Sequence, residues 1–341
     1  MYPAYLESYH NGKLNRVIED AFKMLESCCI CPRKCQINPV RSKSPEVIAA
    51  PLVRTSNGVN RLNDKKGFCR TRLKPKVCSF MPHHGEEPPI SGTQGSGAIF
   101  FSGCNMSCVY CQNYEFSQLD EGREVEFQEL ASFMLQLQDM GCHNINLVTP
   151  THIMPQILKS LELAIPKGLK IPIVYNTGGY ESAEIINLLD GIVDIYLADM
   201  RYAGNEASIR YSSAPDYPKF NQGAVKEMHR QVGVAQIDSS GIIKRGLIIR
   251  HLVLPNDISG TDKIMKFVAG ELSPDTYISL MSQYTPYHKA SELKALSRRI
   301  TYREYANARK TMQRYGLYNG WLQESYGLAR FAGINIKANI K

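Results

Sequence analysis

The chain has 341 residues, is 43% hydrophobic and carries a formal charge of +8 at pH 7. That length accommodates one large α/β domain plus an appendage, and that composition suits a well-packed core. No apolar run approaches the roughly 20 residues that span a bilayer, so a membrane partner is excluded. The start, Met1-Tyr2-Pro3-Ala4-Tyr5-Leu6-Glu7-Ser8, lacks the basic-then-apolar order of a signal peptide, and a cytoplasmic protein is expected. The positive charge is not gathered into one basic block, so nucleic acid is not indicated as a partner.

Residues 1–97 are cysteine-rich and punctuated by Pro and Gly, and are expected to form an N-terminal cap. Within them 38–58 reads as an insertion. Its run Pro39-Val40-Arg41-Ser42-Lys43-Ser44 is echoed by Leu52-Val53-Arg54-Thr55-Ser56-Asn57, without hydrophobic periodicity, as in a disordered surface excursion. His83 and His84 with Glu86 and Glu87, just before strand one, read as a Gly/Pro-flanked polar loop, with a reach toward the barrel mouth as the alternative.

From residue 98 onward strand-like and helix-like segments alternate. Strand one is 98–102, ending at Gly103. A helical stripe at Phe127, Leu130, Met134 and Leu137 follows. Strand two (144–149), a helix at 153–163, strand three (171–176) and a helix at 182–189 come next. Strands four (192–197), five (247–254) and six (276–281) complete the series, and 302–315 reads as a last helix before a basic tail. Six such units predict a parallel sheet with helical crossovers, either a barrel or a doubly wound sheet. Residues with chemistry to offer fall at the strand ends, which in a barrel share one rim, so a partial (β/α)6 TIM-like barrel is expected over 98–290. The remainder, 291–341, is a C-terminal helix and tail.

Ten cysteines in a reducing compartment argue for metal binding over disulfides. Cys104, Cys108 and Cys111 form C-x3-C-x2-C directly after strand one. Three thiolates can hold a [4Fe-4S] cluster through three irons and leave the fourth open to a ligand. A structural zinc or a simple electron carrier is the competing reading, and would make the chain a non-catalytic metalloprotein or binding module. Cys28-x2-Cys31-x3-Cys35, with Cys69 downstream, offers four more thiolates that either zinc or a second [4Fe-4S] cluster would accept. Cys29, Cys78 and Cys142 read as small core residues.

The triplet, with the aromatic Tyr110 before its last cysteine, resembles the radical S-adenosylmethionine (radical SAM) enzymes. It is most similar to an uncharacterised branch related to pyruvate formate-lyase activating enzymes. The resemblance runs over nearly the whole chain apart from the insertion and the tail. It implies an oxidoreductase that cleaves S-adenosylmethionine to a 5′-deoxyadenosyl radical, fed by a one-electron donor of flavodoxin or ferredoxin type. The recipient is an unknown protein, peptide or small molecule, with activation of a glycyl-radical enzyme among the roles implied.

By the same resemblance, Tyr110 lies near adenine. The family's glycine-glycine-glutamate turn after strand two is replaced by Thr149-Pro150-Thr151-His152, leaving the Thr149 and Thr151 hydroxyls but no carboxylate for the methionyl ammonium. Asn176-Thr177-Gly178-Gly179 is similar to the turn that holds ribose and methionyl groups. Asp199 and Arg201 match a strand-four Asp-x-Lys ending, Arg250 a strand-five arginine that contacts the cofactor, and His288 a histidine near its ribose or adenine. Cys31-Pro32-Arg33-Lys34-Cys35 resembles that branch's own N-terminal signature. His251 is expected to point away from Arg250 by strand alternation.

Overall fold

The computed structural model describes residues 2–39, 53–55, 58–60, 67–323 and 334–335. Most of the expected insertion at 38–58, and the tail after 323 apart from 334–335, lie outside the described residues. At the end of that insertion, Val53–Thr55 pairs antiparallel with Gly58–Asn60.

Seven parallel strands form the centre: β1 (Ser96–Phe101), β2 (Ile145–Val148), β3 (Ile173–Thr177), β4 (Ile195–Asp199), β5 (Ile243–Leu252), β6 (Tyr277–Met281) and β7 (Gly320–Leu322). Each pairs with the next in chain order, so the sheet has no topological switch point, and the barrel arrangement replaces the doubly wound one. The first six are the predicted strands; β7 is an addition. Antiparallel strands flank both edges, Lys76–His83 beside β1 and Ile334–Asn335 beside β7, and the path does not close on itself. The result is a partial barrel.

Helices α3 (Phe127–Asp139), α4 (Met154–Ala164), α5 (Ala183–Leu188), α6 (Asn205–Ser212), α7 (Tyr217–Val232), α8 (Thr261–Phe267) and α9 (Tyr302–Arg314) follow the strands. Outward strand residues such as Leu147, Tyr175, Tyr196 and Ile249 meet the apolar faces of these helices in the main core. The inward residues Val174, Ile195, Leu197, Ile248 and Trp321 form a separate apolar layer low in the lumen. Period-two alternation makes this division.

The N-terminal cap contains two helices that the cysteine pattern hid, α1 (Ala4–His10) and α2 (Lys13–Glu26). Leu14, Val17, Ile18, Ala21 and Leu25 recur at helical spacing and are buried. Ala4 N donates to Asp194 Oδ1 at 2.9 Å, Tyr5 Oη to the Ile171 carbonyl at 2.9 Å and Ser8 Oγ to the Gly191 carbonyl at 2.6 Å. All three acceptors precede β3 or β4, so α1 seals the end of the barrel opposite the rim. Burial holds the Asp194 pKa up to about 6.

The loop before β1 also enters from that end. Ile90, in the short helix Pro88–Ser91, is buried in the lumen's apolar layer, and its carbonyl accepts from Asn144 Nδ2 at 2.8 Å. This plug carries Glu86 and Glu87 into the lumen. Of the cysteines read as core residues, Cys142 is buried and Cys29 partly so, but Cys78 is exposed: it lies on the strand Lys76–His83 beside the sheet edge, where one face meets solvent.

Candidate active site

β1 delivers the cysteine loop to the rim. Gly103 turns the chain at φ +86°, and a Cβ there would stand 2.4 Å from the Cys69 carbonyl oxygen, so only glycine fits. The loop is braced by Ser107 N and Val109 N, which donate to the Ser212 and Tyr211 carbonyls of α6 at 2.9 Å each. His152, from the turn after β2, steadies the end of β1 by donating to the Ser102 carbonyl at 2.8 Å.

Protein donors already surround the sulfurs. Cys104 Sγ accepts from Met106 N at 3.3 Å, and Cys111 Sγ bonds Ser117 Oγ at 3.3 Å. Cys108 Sγ accepts from Arg201 Nη1 and Ser212 Oγ, both at 3.0 Å. Burial pushes the Cys104 thiol up to about 12, with Cys108 nearby adding to the rise, and it also raises Cys111. N–H and O–H donors favour sulfur in its thiolate form, and a cationic centre offsets the rise that burial and a neighbouring cysteine impose on Cys104 and Cys111. Among the described residues no three His, Cys, Asp or Glu side chains converge as ligands of one metal ion do. A cluster places each thiolate on a different iron and does not need that convergence. The donor set therefore fits a [4Fe-4S] cluster.

Beside the loop, the inward ends of β3, β4 and β5 bring Asn176, Asp199 and Arg250 together. Arg250 Nε donates to Asp199 Oδ1 at 2.7 Å and Nη2 to Asn176 Oδ1 at 2.6 Å. Arg201 Nε donates to Asp199 Oδ2 at 2.9 Å, so its guanidinium joins this ion pair to Cys108. Burial pushes the Asp199 pKa up, but Arg250 and Arg201 outweigh it and hold the carboxyl below its usual range. Gly179, at φ +78°, lets the turn after β3 pass close by; a Cβ there would stand 2.2 Å from the Asp199 carbonyl oxygen. Glu86, read in the sequence as a polar-loop residue with a reach toward the barrel mouth as the alternative, joins Asn176 and Arg250. Its Oε1 accepts from Asn176 Nδ2 at 3.1 Å and Asn146 Nδ2 at 3.2 Å, and its Oε2 lies 3.4 Å from Arg250 Nη1.

The other candidates sit nearby in different roles. Tyr110 is buried, shares a 2.6 Å hydrogen bond with Tyr202 Oη and packs edge-on to Tyr284. Thr149 has φ +58°, a strained value for a β-branched residue, and its N–H donates to the Asn176 carbonyl at 2.8 Å. Thr151 and Thr177 both donate their hydroxyls to Glu181 Oε1. Alternation points Thr177 away from the lumen that Asn176 faces. His288 stacks on Tyr114 with ring centroids 4.5 Å apart, and burial lowers its pKa. His251 points outward as expected, bonded to the Met200 carbonyl and Thr261.

Glu181 yields a pH-dependent prediction. It is fully buried, and burial holds its pKa up to about 7 against the two threonine hydroxyls, from a usual 4.5. Because the folded value exceeds the unfolded one, its stability contribution is complete below the unfolded value and is lost as pH rises through about 7. Glu181→Gln accepts the same hydroxyls without charge. In urea melts it should gain about 2–3 kcal/mol on the parent between about pH 5 and about pH 8. A difference independent of pH would sink the assignment.

The N-terminal cysteines adjoin the loop. Cys28 N donates to the Ile37 carbonyl at 2.9 Å and Gln36 N to the Cys28 carbonyl at 3.0 Å, closing the Cys28–Cys35 segment into a tight turn. Gly67 approaches Cys35, where an added Cβ would lie 3.8 Å from its sulfur, and so brings Cys69 to the group. Burial raises the pKa values of Cys28, Cys31 and Cys69, and in each a neighbouring cysteine of the set adds to the rise. Arg33 ties this module to the rim: Nε donates to the Asn105 carbonyl at 2.6 Å, Nη2 donates to the Ser213 carbonyl, and the guanidinium covers Phe68 at 3.3 Å. Arg33→Gln removes the charge-assisted bonds and the stacking. It should cost about 1.5–3 kcal/mol and speed iodoacetamide labelling of Cys104, leaving Cys78 unchanged. Equal labelling rates at Cys104 would refute the tie.

The chain is similar in part to known proteins. The Radical SAM superfamily model matches residues 98–204, from β1 past Arg201. The uncharacterised protein MJ0674 of Methanocaldococcus jannaschii is 29% identical over 322 residues, covering 92% of this chain and 82% of that protein. Among solved structures, TYW1 with a lysine–pyruvate adduct bound overlaps 64% of this chain and 73% of its own, with 9% identity and a TM-score of 0.40. HydG, a maturase of the [FeFe]-hydrogenase, overlaps 64% of this chain at 10% identity and a TM-score of 0.43. The HydG of Carboxydothermus hydrogenoformans overlaps 66% at 13% identity and a TM-score of 0.39. The chain spans about half the length of each HydG, 48% and 52%. Among the described residues no helix is long and apolar enough to cross a membrane. Residues 98–204, with three cysteines on the rim loop after β1, carry the match to the Radical SAM superfamily, and the thiol set there fits an iron–sulfur cluster.

Proposed function

We propose that this chain is a cytoplasmic radical SAM oxidoreductase acting on a protein, peptide or small molecule, in the manner of pyruvate formate-lyase activating enzymes. When bound, a reduced [4Fe-4S] cluster supplies one electron from a flavodoxin- or ferredoxin-type donor to S-adenosylmethionine, giving methionine and a 5′-deoxyadenosyl radical that takes a hydrogen atom from the substrate. The observation that carries this reading is Arg201, whose guanidinium bonds Cys108 Sγ and Asp199 at once.

Cys104, Cys108 and Cys111 would hold three irons. Asp199 and Asn176 present oxygens from the rim to cationic and hydroxyl groups of the cofactor, and Arg250 fixes both. Tyr110 and Tyr202 wall the loop on the side of α6 and keep water from the sulfurs. Thr151 and Thr177 are engaged by Glu181, so they shape the turns after β2 and β3 and do not themselves reach the cofactor. Cys28, Cys31, Cys35 and Cys69 are the proposed ligands of a second thiolate-bound centre; their proximity to one another supports it, and since no three of them converge as ligands of one ion do, they fit [4Fe-4S] better than zinc. The test is anaerobic reconstitution with iron and sulfide, reduction with dithionite and chromatography for 5′-deoxyadenosine. Cluster-loaded protein that makes none overturns the proposal.

A further inference from the structure

Tyr110, Tyr202 and Ser212 form a file of hydroxyls that ends on a cysteine sulfur. Tyr110 Oη and Tyr202 Oη share a hydrogen bond of 2.6 Å, and Tyr202 Oη and Ser212 Oγ share one of 2.7 Å. Ser212 Oγ then donates to Cys108 Sγ at 3.0 Å. All four residues are buried, and Cys108, Tyr110 and Tyr202 belong to one apolar cluster beside the rim. Buried hydroxyls need partners, and the choice of partner here is unusual. Three other tyrosines of that cluster, Tyr180, Tyr217 and Tyr284, donate to the carbonyls of Pro215, Gly178 and Leu296 at 2.8, 2.9 and 2.7 Å. Tyr110 and Tyr202 lead to sulfur instead.

Proton counting gives the file a direction. A thiolate on iron has no proton to give, so Ser212 spends its single O–H on Cys108 Sγ. Its oxygen can then only accept, which makes Tyr202 the donor to Ser212 Oγ. Tyr202 has no second proton, so Tyr110 donates to Tyr202 Oη. All three O–H dipoles therefore point toward one sulfur, and in a dry interior each bond of such a chain polarises the next. Helix α6 fixes the alignment. Ser212, its last residue, accepts Ser107 N–H on its carbonyl at 2.9 Å while its hydroxyl meets the sulfur of the following cysteine. Arg201 also donates to that sulfur but is shared with Asp199, whereas the Ser212 O–H serves the sulfur alone.

An electron that enters a cluster adds negative charge shared with its thiolate sulfurs, and donors to those sulfurs favour the reduced state. We infer that Tyr110, Tyr202 and Ser212 are positioning residues, a one-way hydrogen-bond chain that raises the reduction potential of the cluster held by Cys108 and so eases electron entry. The inference rests on the reading that Cys104, Cys108 and Cys111 hold a [4Fe-4S] cluster.

The test is a redox titration of the full-length, anaerobically reconstituted protein, followed by electron paramagnetic resonance on the reduced-cluster signal that Cys108→Ala abolishes. A midpoint potential does not depend on how much protein carries the cluster, so lower loading in a variant does not imitate the effect. At the parent's midpoint, Ser212→Ala should lower the ratio of reduced to oxidised cluster about tenfold, a shift of about 59 mV to more negative potential for one electron. Tyr202→Phe removes one oxygen and acts on the sulfur only through Ser212, so it should lower the ratio about threefold, and Tyr110→Phe by less again. Tyr284→Phe, which loses a bond to a backbone carbonyl, should titrate with the parent. Parent potentials in both Ser212→Ala and Tyr202→Phe overturn the inference. A shift in Ser212→Ala alone reduces the chain to a single bond and overturns it too, as does an equal shift in Tyr284→Phe, which would make the effect one of packing. The radical reading is judged separately, by 5′-deoxyadenosine formation in the parent. A parent that forms the nucleoside while all variants share its potential fails only this inference, and a parent with no reduced-cluster signal fails both.

Discussion

Arg250→Met is expected to cost about 3–5 kcal/mol of stability and to abolish S-adenosylmethionine binding. The residue is 17% exposed on the inward face of β5 and stands between Asp199 at 2.7 Å, Asn176 at 2.6 Å and Glu86 at 3.4 Å. Methionine matches its length but not its charge. Asp199 would keep only Arg201, and Glu86 only two amide donors. Glu87, whose pKa burial holds up to about 7 against the pull of Arg250, would rise further. Removing one partner of a buried pair costs far more than the pair contributes, because the remaining charge stays desolvated. Arg250→Lys restores the charge without the fork and should recover part of the stability but not the simultaneous grip on Asp199 and Asn176. Guanidinium melts and calorimetric titration of the cofactor decide the matter. A methionine variant within about 1 kcal/mol of the parent, the scale of an ordinary surface substitution, would show that Arg250 is not the keystone of the rim.

The strands and the rim were legible for one reason, which is that short apolar runs ended in polar residues at the same relative place. Asn176 and Asp199 could be aligned from that pattern, Arg250 came from the family resemblance, and period-two alternation correctly turned His251 outward. The same alternation, applied to Asn176 and Thr177, would have sent Thr177 out of the lumen and toward Glu181. Helix α7 carries Asn221, Ala224, Val225, Met228 and Val232 at helical spacing, and attention to strand ends passed over it. In α2 the stripe was equally plain but lay in a segment read for its cysteines. Glu86 and Arg33 are a different case. Arg33 meets Asn105 across 72 residues of sequence, and Glu86 meets Arg250 across 164. Such contacts arise only when the sheet curls and its plug enters, so no local pattern announces them.

Cys108→Ala should reduce 5′-deoxyadenosine formation to background while leaving the protein folded. Among the three rim cysteines its sulfur accepts bonds from two side chains, Arg201 and Ser212. Alanine removes the middle ligand of the triplet, and two thiolates do not retain a cluster whose function needs three. The structural penalty is smaller than for Arg250. Arg201 loses one acceptor but stays on Asp199, and Ser212 retains Tyr202 at 2.7 Å, so the loss should be about 1–3 kcal/mol. Iron analysis then separates the two cysteine sets. If the N-terminal set holds a cluster, Cys108→Ala retains part of the parent's iron and loses it when Cys28, Cys31, Cys35 and Cys69 are also replaced. If that set holds zinc, Cys108→Ala loses its iron and keeps zinc until those four are replaced. Cys78→Ala, at an exposed thiol outside both sets, should match the parent in iron, zinc and nucleoside alike. A Cys108→Ala protein that still cleaves S-adenosylmethionine would remove the triplet from the chemistry, because Arg201 would then have no reactive centre to connect to the rim.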